Sequence, residues 1–270
     1  MPNSSTLGNS SEPVLILIHG ATLNGHMWDP VGHHLNPRYR RLAPDLPGHG
    51  SRRDERYTLE GAVATIVAAA RSVGAAPVIL VGDSLGAYTA MASAGALAPD
   101  QLKGLVLGGA TFNFFGSAVF PYVVKGAIFR GLARVFGEQR LIDKLMPKTL
   151  GPAKLDLDPV DAKALMDAGL SVTVFSQAVQ ALRRIDFRAM LAEIRQPVLI
   201  VNGDRDKVNI RQEQSFLAVA RNASSHRFKD CEHGVSLWRH AEFAGLVNAF
   251  ADRVFAGDVA TSATRGAAST

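Results

Sequence analysis

Short apolar runs that alternate with longer helical stretches constrain the fold of this chain more than any other feature. The runs stand at Val14–Ile18, Val78–Val81, Leu102–Leu107 and Val198–Val201. Each run is too short for a buried helix and fits a strand covered on both faces, as in a parallel sheet. Alanine-rich or amphipathic helical patterns fill the intervals, at Leu59–Val73, Leu85–Leu97, Arg211–Arg221 and Leu237–Phe255. The alternation predicts an α/β fold with a doubly wound, mostly parallel sheet, closed by a further strand near His226–Lys229.

The alternation stops between Thr111 and Met190, where no buried strand is evident and glycines and prolines break up several helical stretches. A segment of this length does not stay structureless inside a compact domain. We therefore expect residues 112–190 to form a helical cap inserted into a core of residues 12–111 and 191–256. Residues 1–11 and 257–270 lack apolar periodicity and are predicted to be flexible tails.

Composition limits the classes of protein that this chain can represent. The 270 residues are 47% hydrophobic, enough for a substantial core, and a single cysteine excludes an internal disulfide. No secretion signal or bilayer-length apolar run is evident, so we expect a cytoplasmic protein without stable membrane insertion. The net charge of +5 is mild and mostly mixed along the chain, which does not favour nucleic-acid binding. The sequence leaves the oligomeric state open.

One stretch departs from this mixed charge. Seven basic residues stand against two acidic ones between Phe112 and Leu155. The preferred interpretation is a solvated helix face. Attraction of acidic ligands or of an anionic membrane surface is the alternative.

A serine between two glycines follows the second apolar run, in Val81-Gly82-Asp83-Ser84-Leu85-Gly86. A strand that turns sharply into a helix places the side chain of the turn at the carboxyl edge of the sheet, where open α/β proteins bind ligands. Glycine is needed at Gly82 and Gly86 because side chains there would collide with the adjoining strand and helix. The pattern predicts Ser84 as a nucleophile, with a structural turn serine as the alternative. The Leu85 amide would face negative charge forming at Ser84.

A serine nucleophile needs a histidine to take its proton and a carboxylate to orient that histidine. The run Val198–Val201 leads into Asn202-Gly203-Asp204-Arg205-Asp206, which offers two carboxylates at the end of a strand. His233 follows the predicted last strand. The chain thus contains the order serine, aspartate, histidine, with Asp204 and Asp206 both available.

In these motifs the chain resembles a capped member of the α/β-hydrolase superfamily, similar to small carboxylesterases. Over residues 12–256 the matching pieces are Leu17-Ile18-His19-Gly20, Asp45-Leu46-Pro47-Gly48-His49-Gly50-Ser51, the turn at Ser84, Gly203-Asp204-Arg205-Asp206, and His233. The resemblance implies hydrolysis of an apolar ester of small to medium size without a cofactor. It selects Asp206 over Asp204 as the acid, and it implies that the Ala21 amide joins that of Leu85 in an oxyanion hole.

Several other histidines and the single cysteine are expected to have structural rather than catalytic roles. His19 and His49 are expected to shape loops near the site, as the resemblance implies. His33 and His34 are expected on a helix surface, and they lack the further ligands that a metal site needs. Cys231 is expected to be a buried packing residue rather than a thiol catalyst.

Two residues are assigned to the substrate pocket with structural alternatives. The preferred interpretation of Asp83 is that it pairs with the positive N-terminal end of the following helix. The alternative is that it disfavours anionic substrates or tunes His233. Trp28 either walls the pocket or braces the entrance loop. A set of aromatic residues either lines an acyl pocket under the cap or, as preferred, forms the core of the cap: Phe112, Phe114, Phe115, Phe120, Tyr122, Phe129 and Phe136.

The leading hypothesis is therefore a serine hydrolase that cleaves a carboxylic ester. Carbon–carbon bond hydrolysis, lactone opening or perhydrolysis on the same triad is the alternative. A ligand-binding protein that keeps the fold is a further one, disfavoured because a pure binder does not need all three triad residues.

Overall fold

A sheet of six parallel strands forms the centre of the protein. The computed structural model describes residues 12–150, Leu155 and residues 157–257, so the predicted tail 1–11 and all but the first residue of the tail 257–270 lie outside the described residues. The strand order is β2-β1-β3-β4-β5-β6. The strands are β1 Val14–Ile18, β2 Arg40–Leu42, β3 Val78–Asp83, β4 Leu102–Gly108, β5 Val198–Gly203 and β6 Ala223–Phe228.

Strand β2 was not predicted from the sequence. It is three residues long, lies at the edge of the sheet, and contains Arg40 and Arg41 in place of an apolar run. Strand β6, at the opposite edge, has four exposed residues in its middle and carries only a weak apolar signal. Edge strands are paired on one side only and can be short and polar, which explains why both were hard to recognise.

Helices flank the sheet on both faces, as the alternation predicted. They are α1 Asp29–Gly32, α2 Leu59–Ser72, α3 Leu85–Ala94, α4 Phe120–Phe136, α5 Glu138–Leu150, α6 Pro159–Asp167, α7 Val174–Leu182, α8 Phe187–Glu193, α9 Lys207–Leu217, α10 Val235–Trp238 and α11 His240–Phe255. Helix α9 begins four residues earlier than predicted because Asp206 caps it, accepting a hydrogen bond from the backbone N–H of Asn209. No helix in the described part of the chain is long and apolar enough to cross a membrane.

The core lies on both faces of the sheet. Val14, Ile16 and Ile18 belong to one buried cluster, and Leu15 and Leu17 belong to the other. Successive side chains of a strand point to opposite faces, so every residue of β1 is buried. The fully apolar runs of the sequence follow from this two-sided burial.

Helices α4 to α8 form the connection between the neighbouring strands β4 and β5. Within this segment, α4 packs on α5 and α7. Side chains of α7, among them Val174, Ala178 and Leu182, pack into the larger core cluster of the sheet. The described residues of the expected insertion therefore form helices joined by loops, without a strand, and its division from the core at residue 190 stays a prediction.

Candidate active site

Ser84 occupies a sharp turn between β3 and α3. Its backbone has φ 54° and ψ −116°, a conformation that residues other than glycine rarely adopt. A Cβ on Gly86 would lie 1.9 Å from the Ile18 carbonyl oxygen, and one on Gly82 would lie 2.4 Å from the Gly86 backbone. The turn therefore tolerates only glycine at both positions, for the steric reason that the sequence suggested. The Ser84 amide donates to the Gly108 carbonyl at 2.7 Å, which fixes the turn to β4.

The side chain of His233 lies between those of Ser84 and Asp206. In the sequence, His233 is 149 residues from Ser84 and 27 residues from Asp206. The Nε2 atom of His233 is 3.0 Å from Ser84 Oγ, and its Nδ1 atom is 2.6 Å from Asp206 Oδ2. With the proton on Nδ1, the ring donates to Asp206 and leaves Nε2 to accept from the Ser84 hydroxyl. Asp204 instead accepts from the Cys231 amide at 3.2 Å, away from the imidazole. The geometry favours Asp206 over Asp204.

The three side chains meet because they follow parallel strands. Ser84 stands just after β3, Asp206 three residues after β5, and His233 five residues after β6. The carboxyl ends of parallel strands lie at the same edge of a sheet. Close approaches hold the loops together here: a Cβ on Gly203 would lie 2.2 Å from the Cys231 carbonyl oxygen, and one on Gly109 would lie 2.8 Å from His233 Cε1. Gly109 also has φ +58°.

Asn209 supports Asp206 and was missed in the sequence. Its side-chain amide donates to Asp206 Oδ2 at 2.7 Å, and its backbone N–H lies 3.2 Å from Asp206 Oδ1. Its own side-chain oxygen accepts from the Thr111 amide at 2.7 Å. A helix cap with a polar residue three positions later, as in Asp206 and Asn209, is the sequence signal that could have identified it.

Charge shifts the ionisation of the histidine and the aspartate in opposite directions. Burial lowers the pKa of His233, but the hydrogen bond and negative charge of Asp206, with Asp83 adding to them, outweigh burial and raise that pKa above its ordinary value. Burial raises the pKa of Asp206, but the hydrogen bond and charge of His233 and the bonds from Asn209 bring it below the ordinary range. The pair is therefore arranged to stabilise an imidazolium next to a carboxylate.

Asp83 does not line the cavity at Ser84, and its assignment to the substrate pocket is corrected. It is 1% exposed and accepts a hydrogen bond from the Ser236 hydroxyl, so its partner is α10 rather than the start of α3. Its Oδ1 atom has no hydrogen-bond partner among the described residues. Burial raises the pKa of Asp83. Its carboxyl group lies behind His233, where its charge acts on the imidazole.

The assignment of Trp28 to the substrate pocket is also corrected. It is 1% exposed and packs near Phe243 in the core, with ring centroids 6.0 Å apart, and it does not contact the cavity at Ser84. It therefore braces the loop after β1 through core packing. The loop itself reaches the site, because a Cβ on Gly20 would lie 3.7 Å from Ser84 Cβ.

The oxyanion role of the Ala21 and Leu85 amides stays a prediction. Leu85 is the first residue of α3, so its N–H has no acceptor within the helix. The helix end adds a partial positive charge at Ser84.

A cavity of about 260 Å³ opens onto Ser84, Asp206 and His233. Tyr88 and Phe112 come from the core side, and Tyr122, Lys125 and Phe175 come from α4 and α7. Lys125 is the one lysine or arginine among the described residues of this lining, and its ammonium group lies 5.6 and 5.5 Å from the ring centres of Phe129 and Phe175. Aromatic surface with one cation suits an apolar substrate that carries a negative group. Tyr88, Lys125 and Phe175 were not predicted from the sequence as lining residues.

The aromatic residues of the insertion do not form one core. Phe112, Phe114 and Tyr122 line the cavity at Ser84, in agreement with the pocket alternative. Phe115, Phe120 and Phe136 are exposed, which contradicts both interpretations for these three. Helical spacing cannot tell whether an apolar face meets a core, a cavity or solvent.

The histidines that were predicted to be structural, and the cysteine, do not line the cavity at Ser84. His19 is buried and accepts from the Leu46 amide at 2.9 Å, and burial lowers its pKa. His49 is buried against it, and burial brings the pKa of His49 to about 3. Cys231 is buried as predicted, and burial raises its pKa to about 11. His33 and His34 are exposed just after α1, and the described residues contain no cluster of three or more metal-ligating side chains.

Comparison with known proteins agrees with the observed fold. The profile of the alpha/beta hydrolase family matches residues 15–246. The pimeloyl-[acyl-carrier protein] methyl ester esterase of Xanthomonas oryzae pv. oryzae is 30% identical over 207 residues, which cover 73% of this chain and 78% of the relative. Among solved structures, MenH from S. aureus superposes with a TM-score of 0.74 at 16% identity, covering 91% of this chain and 96% of that one. The enol-lactonase from Burkholderia xenovorans LB400 superposes with a TM-score of 0.71 at 21% identity, covering 91% of this chain and 93% of that one. At these sequence identities the two structures support only the assignment of the fold.

Proposed function

The chain belongs to the α/β hydrolase family and is an ester-hydrolysing enzyme, and we propose that it acts through an acyl-enzyme formed on Ser84. In this proposal His233 is the general base, and Asp206 holds the imidazole in the tautomer that accepts at Nε2. One observation carries the proposal: Ser84 Oγ lies 3.0 Å from His233 Nε2 while His233 Nδ1 lies 2.6 Å from Asp206. These separations are those of a nucleophile, a base and its orienting group.

The reaction proceeds in two halves. Ser84 Oγ bonds to the ester carbonyl carbon as its proton passes to His233, and the carbonyl oxygen becomes an oxyanion facing the Ala21 and Leu85 amides. The tetrahedral intermediate expels the alcohol, which takes the proton from His233. Water then gives a proton to His233 and attacks the acyl-enzyme; the acid leaves and Ser84 regains its proton. Each oxyanion donor contributes about 3 kcal/mol in comparable sites.

The cavity suggests a short or medium acyl group. Its volume of about 260 Å³ holds a small apolar chain, and five of its twelve lining residues are aromatic. The Xanthomonas relative is named as a methyl ester esterase. We extend to this chain only the class, an ester of a small alcohol with an apolar acyl chain, and we propose that residues 112–190 act as the cap that covers it.

A fluorophosphonate probe tests the nucleophile. We expect peptide mapping to find the label on Ser84, and we expect Ser84→Ala to lose the label and more than about 10³-fold of the ester turnover. Ser93→Ala is the matched control, because this buried hydroxyl of α3 only donates to the Thr89 carbonyl. Turnover retained in Ser84→Ala, or labelling at another residue, would disprove the mechanism.

A panel of p-nitrophenyl esters tests the substrate class. We expect kcat/KM to rise from acetate to a medium acyl chain and to fall for long chains, because the cavity fills. Labelling of Ser84 without turnover of any ester would contradict an esterase, and turnover of lactones instead would point to the alternative chemistry.

A further inference from the structure

Helix α4 presents an apolar face to solvent. Phe120, Val124, Ile128, Leu132, Val135 and Phe136 are between 36 and 75% exposed. Each of them lies three or four residues from another member of the set, which places them on one side of the 17-residue helix. Phe115, just before the helix, adds to this surface and is 57% exposed. Contiguous exposed apolar surface of this kind marks an interaction site in an otherwise polar exterior.

The opposite side of α4 already has its packing partner. Gly126 is its one fully buried residue, and a Cβ there would lie 3.0 Å from Ser176 Cα of α7. The rings of Phe129 and Phe175 lie 5.9 Å apart in the same contact. The helix is therefore held to the protein by one face, and the outward apolar residues are not part of a core.

Exposed basic residues lie on α4 beside this apolar face and on the helix that follows it. Arg130 and Arg134 lie on α4, and Arg140 and Lys144 follow on α5; all four are exposed. Within the part of the chain that the structure describes, these four residues form no ion pair, and Lys125 forms none. An outward apolar stripe with cations at its borders is the pattern of a helix that lies in a membrane interface.

Charge decides between possible occupants of the face. A second copy docked on α4 by twofold symmetry would bring Arg130 and Arg134 of the two copies against one another, and α4 itself has no carboxylate to pair with them. An anionic bilayer supplies phosphates to the cations and an acyl boundary to the apolar side chains together. We propose that α4 docks the protein reversibly on anionic phospholipid membranes, lying in the plane of the interface. This proposal does not depend on the chemistry at Ser84.

Docking would also position the cavity. Tyr122 and Lys125 belong to α4 and line the cavity at Ser84. The helix thus connects the proposed membrane contact directly with the cavity.

Vesicle sedimentation tests the docking. We expect the full chain to sediment with phosphatidylcholine vesicles that contain phosphatidylglycerol, to stay in solution with pure phosphatidylcholine, and to be released by high salt. Ile128→Ser combined with Val135→Ser should weaken binding at least about tenfold, because apolar side chains leave the interface. Arg130→Glu combined with Arg134→Glu should remove the dependence on phosphatidylglycerol.

The matched control is Val160→Ser combined with Val219→Ser, two exposed valines outside α4 that are 74 and 38% exposed. It should bind vesicles like the unaltered protein. Turnover of a soluble ester without vesicles should be the same in all variants, which shows that they fold. Lack of binding to anionic vesicles would overturn the proposal. An equal loss of vesicle binding in the control would also overturn it. A dimer in ultracentrifugation that the Ile128 and Val135 substitutions abolish would overturn it as well.

Discussion

At the scale of single residues, Asp206 carries two tasks on its two oxygens. Oδ1 faces the backbone N–H of Asn209 and caps α9, while Oδ2 accepts from His233 and from the Asn209 side chain. One carboxylate therefore fixes both the start of a helix and the angle of the imidazole. Its lowered pKa keeps it ionised wherever His233 titrates.

The proposed role of His233 as general base predicts the pH dependence of turnover. A general base must be neutral, so activity is present above its pKa and is lost as the pH falls through it. Because Asp206 raises this pKa, we expect the acid limb of kcat/KM above about 6.5, the ordinary imidazole value. Asp206→Asn should move the limb to lower pH, since burial then dominates, and should reduce kcat by about 10³-fold or more.

Asp204→Asn is the control for this experiment. Asp204 contacts the Cys231 amide and not the imidazole, so the limb should stay in place. An acid limb that moves in Asp204→Asn and not in Asp206→Asn would exchange the roles of the two residues.

Lys125 should select substrates by charge. Among the described residues that line the cavity it is the one lysine or arginine, and its ammonium group lies near the rings of Phe129 and Phe175. We expect Lys125→Met to raise KM about fivefold for a p-nitrophenyl ester with a terminal carboxylate and to leave p-nitrophenyl butyrate unchanged. Arg130→Met, a cation of the same helix outside the cavity lining, is the control. Equal changes of KM on both esters would contradict a role in charge recognition.

At the scale of elements, the β3–α3 turn is the most constrained segment of the site. Gly86 packs against the end of β1, whereas a Cβ added to Gly95, just after the other end of α3, would meet no atom within 4 Å. We expect Gly86→Ala to cost about 1–3 kcal/mol of unfolding free energy or more, because the backbone must move. Gly95→Ala should be neutral or stabilising by less than about 1 kcal/mol.

Denaturant unfolding measures both variants, and turnover measures the effect on the site. Gly86→Ala should lose activity together with stability, since Ser84 belongs to the same turn. Equal unfolding midpoints for the two variants would show that the turn can relax around a methyl group.

At the scale of the whole molecule, two cores share one sheet. Leu15 and Ile16 are adjacent in β1 and fully buried in different clusters. We expect Leu15→Ala and Ile16→Ala to cost about 2–5 kcal/mol each, because each leaves a cavity in a packed layer. Val219→Ala, at an exposed position, should change stability by less than about 0.5 kcal/mol. A cost for either β1 variant as small as that control would mean that its face is not packed.

Much of the fold could be predicted because buried parallel strands leave a strong signal. Strand β1 matches its predicted bounds, and β3, β4 and β5 extend theirs by one or two residues. The last predicted helix is instead two, α10 and α11, separated at Arg239, where φ is −134° and ψ is 46°. Such a break depends on local packing and not on the apolar pattern. The helical insertion could be recognised, but the direction that each of its faces points could not.

The sequence by itself determined the parallel sheet, the glycine-bounded serine turn and the order of serine, aspartate and histidine, since these depend on local pattern and chain order. Only the tertiary structure decided which side chains face each other. It brought Asn209 to Asp206, turned Asp83 toward Ser236, buried Trp28, and left one face of α4 in solvent. The physical reason is that contacts between distant segments depend on how helices and loops pack at the sheet edge, and no local pattern of residues encodes that packing.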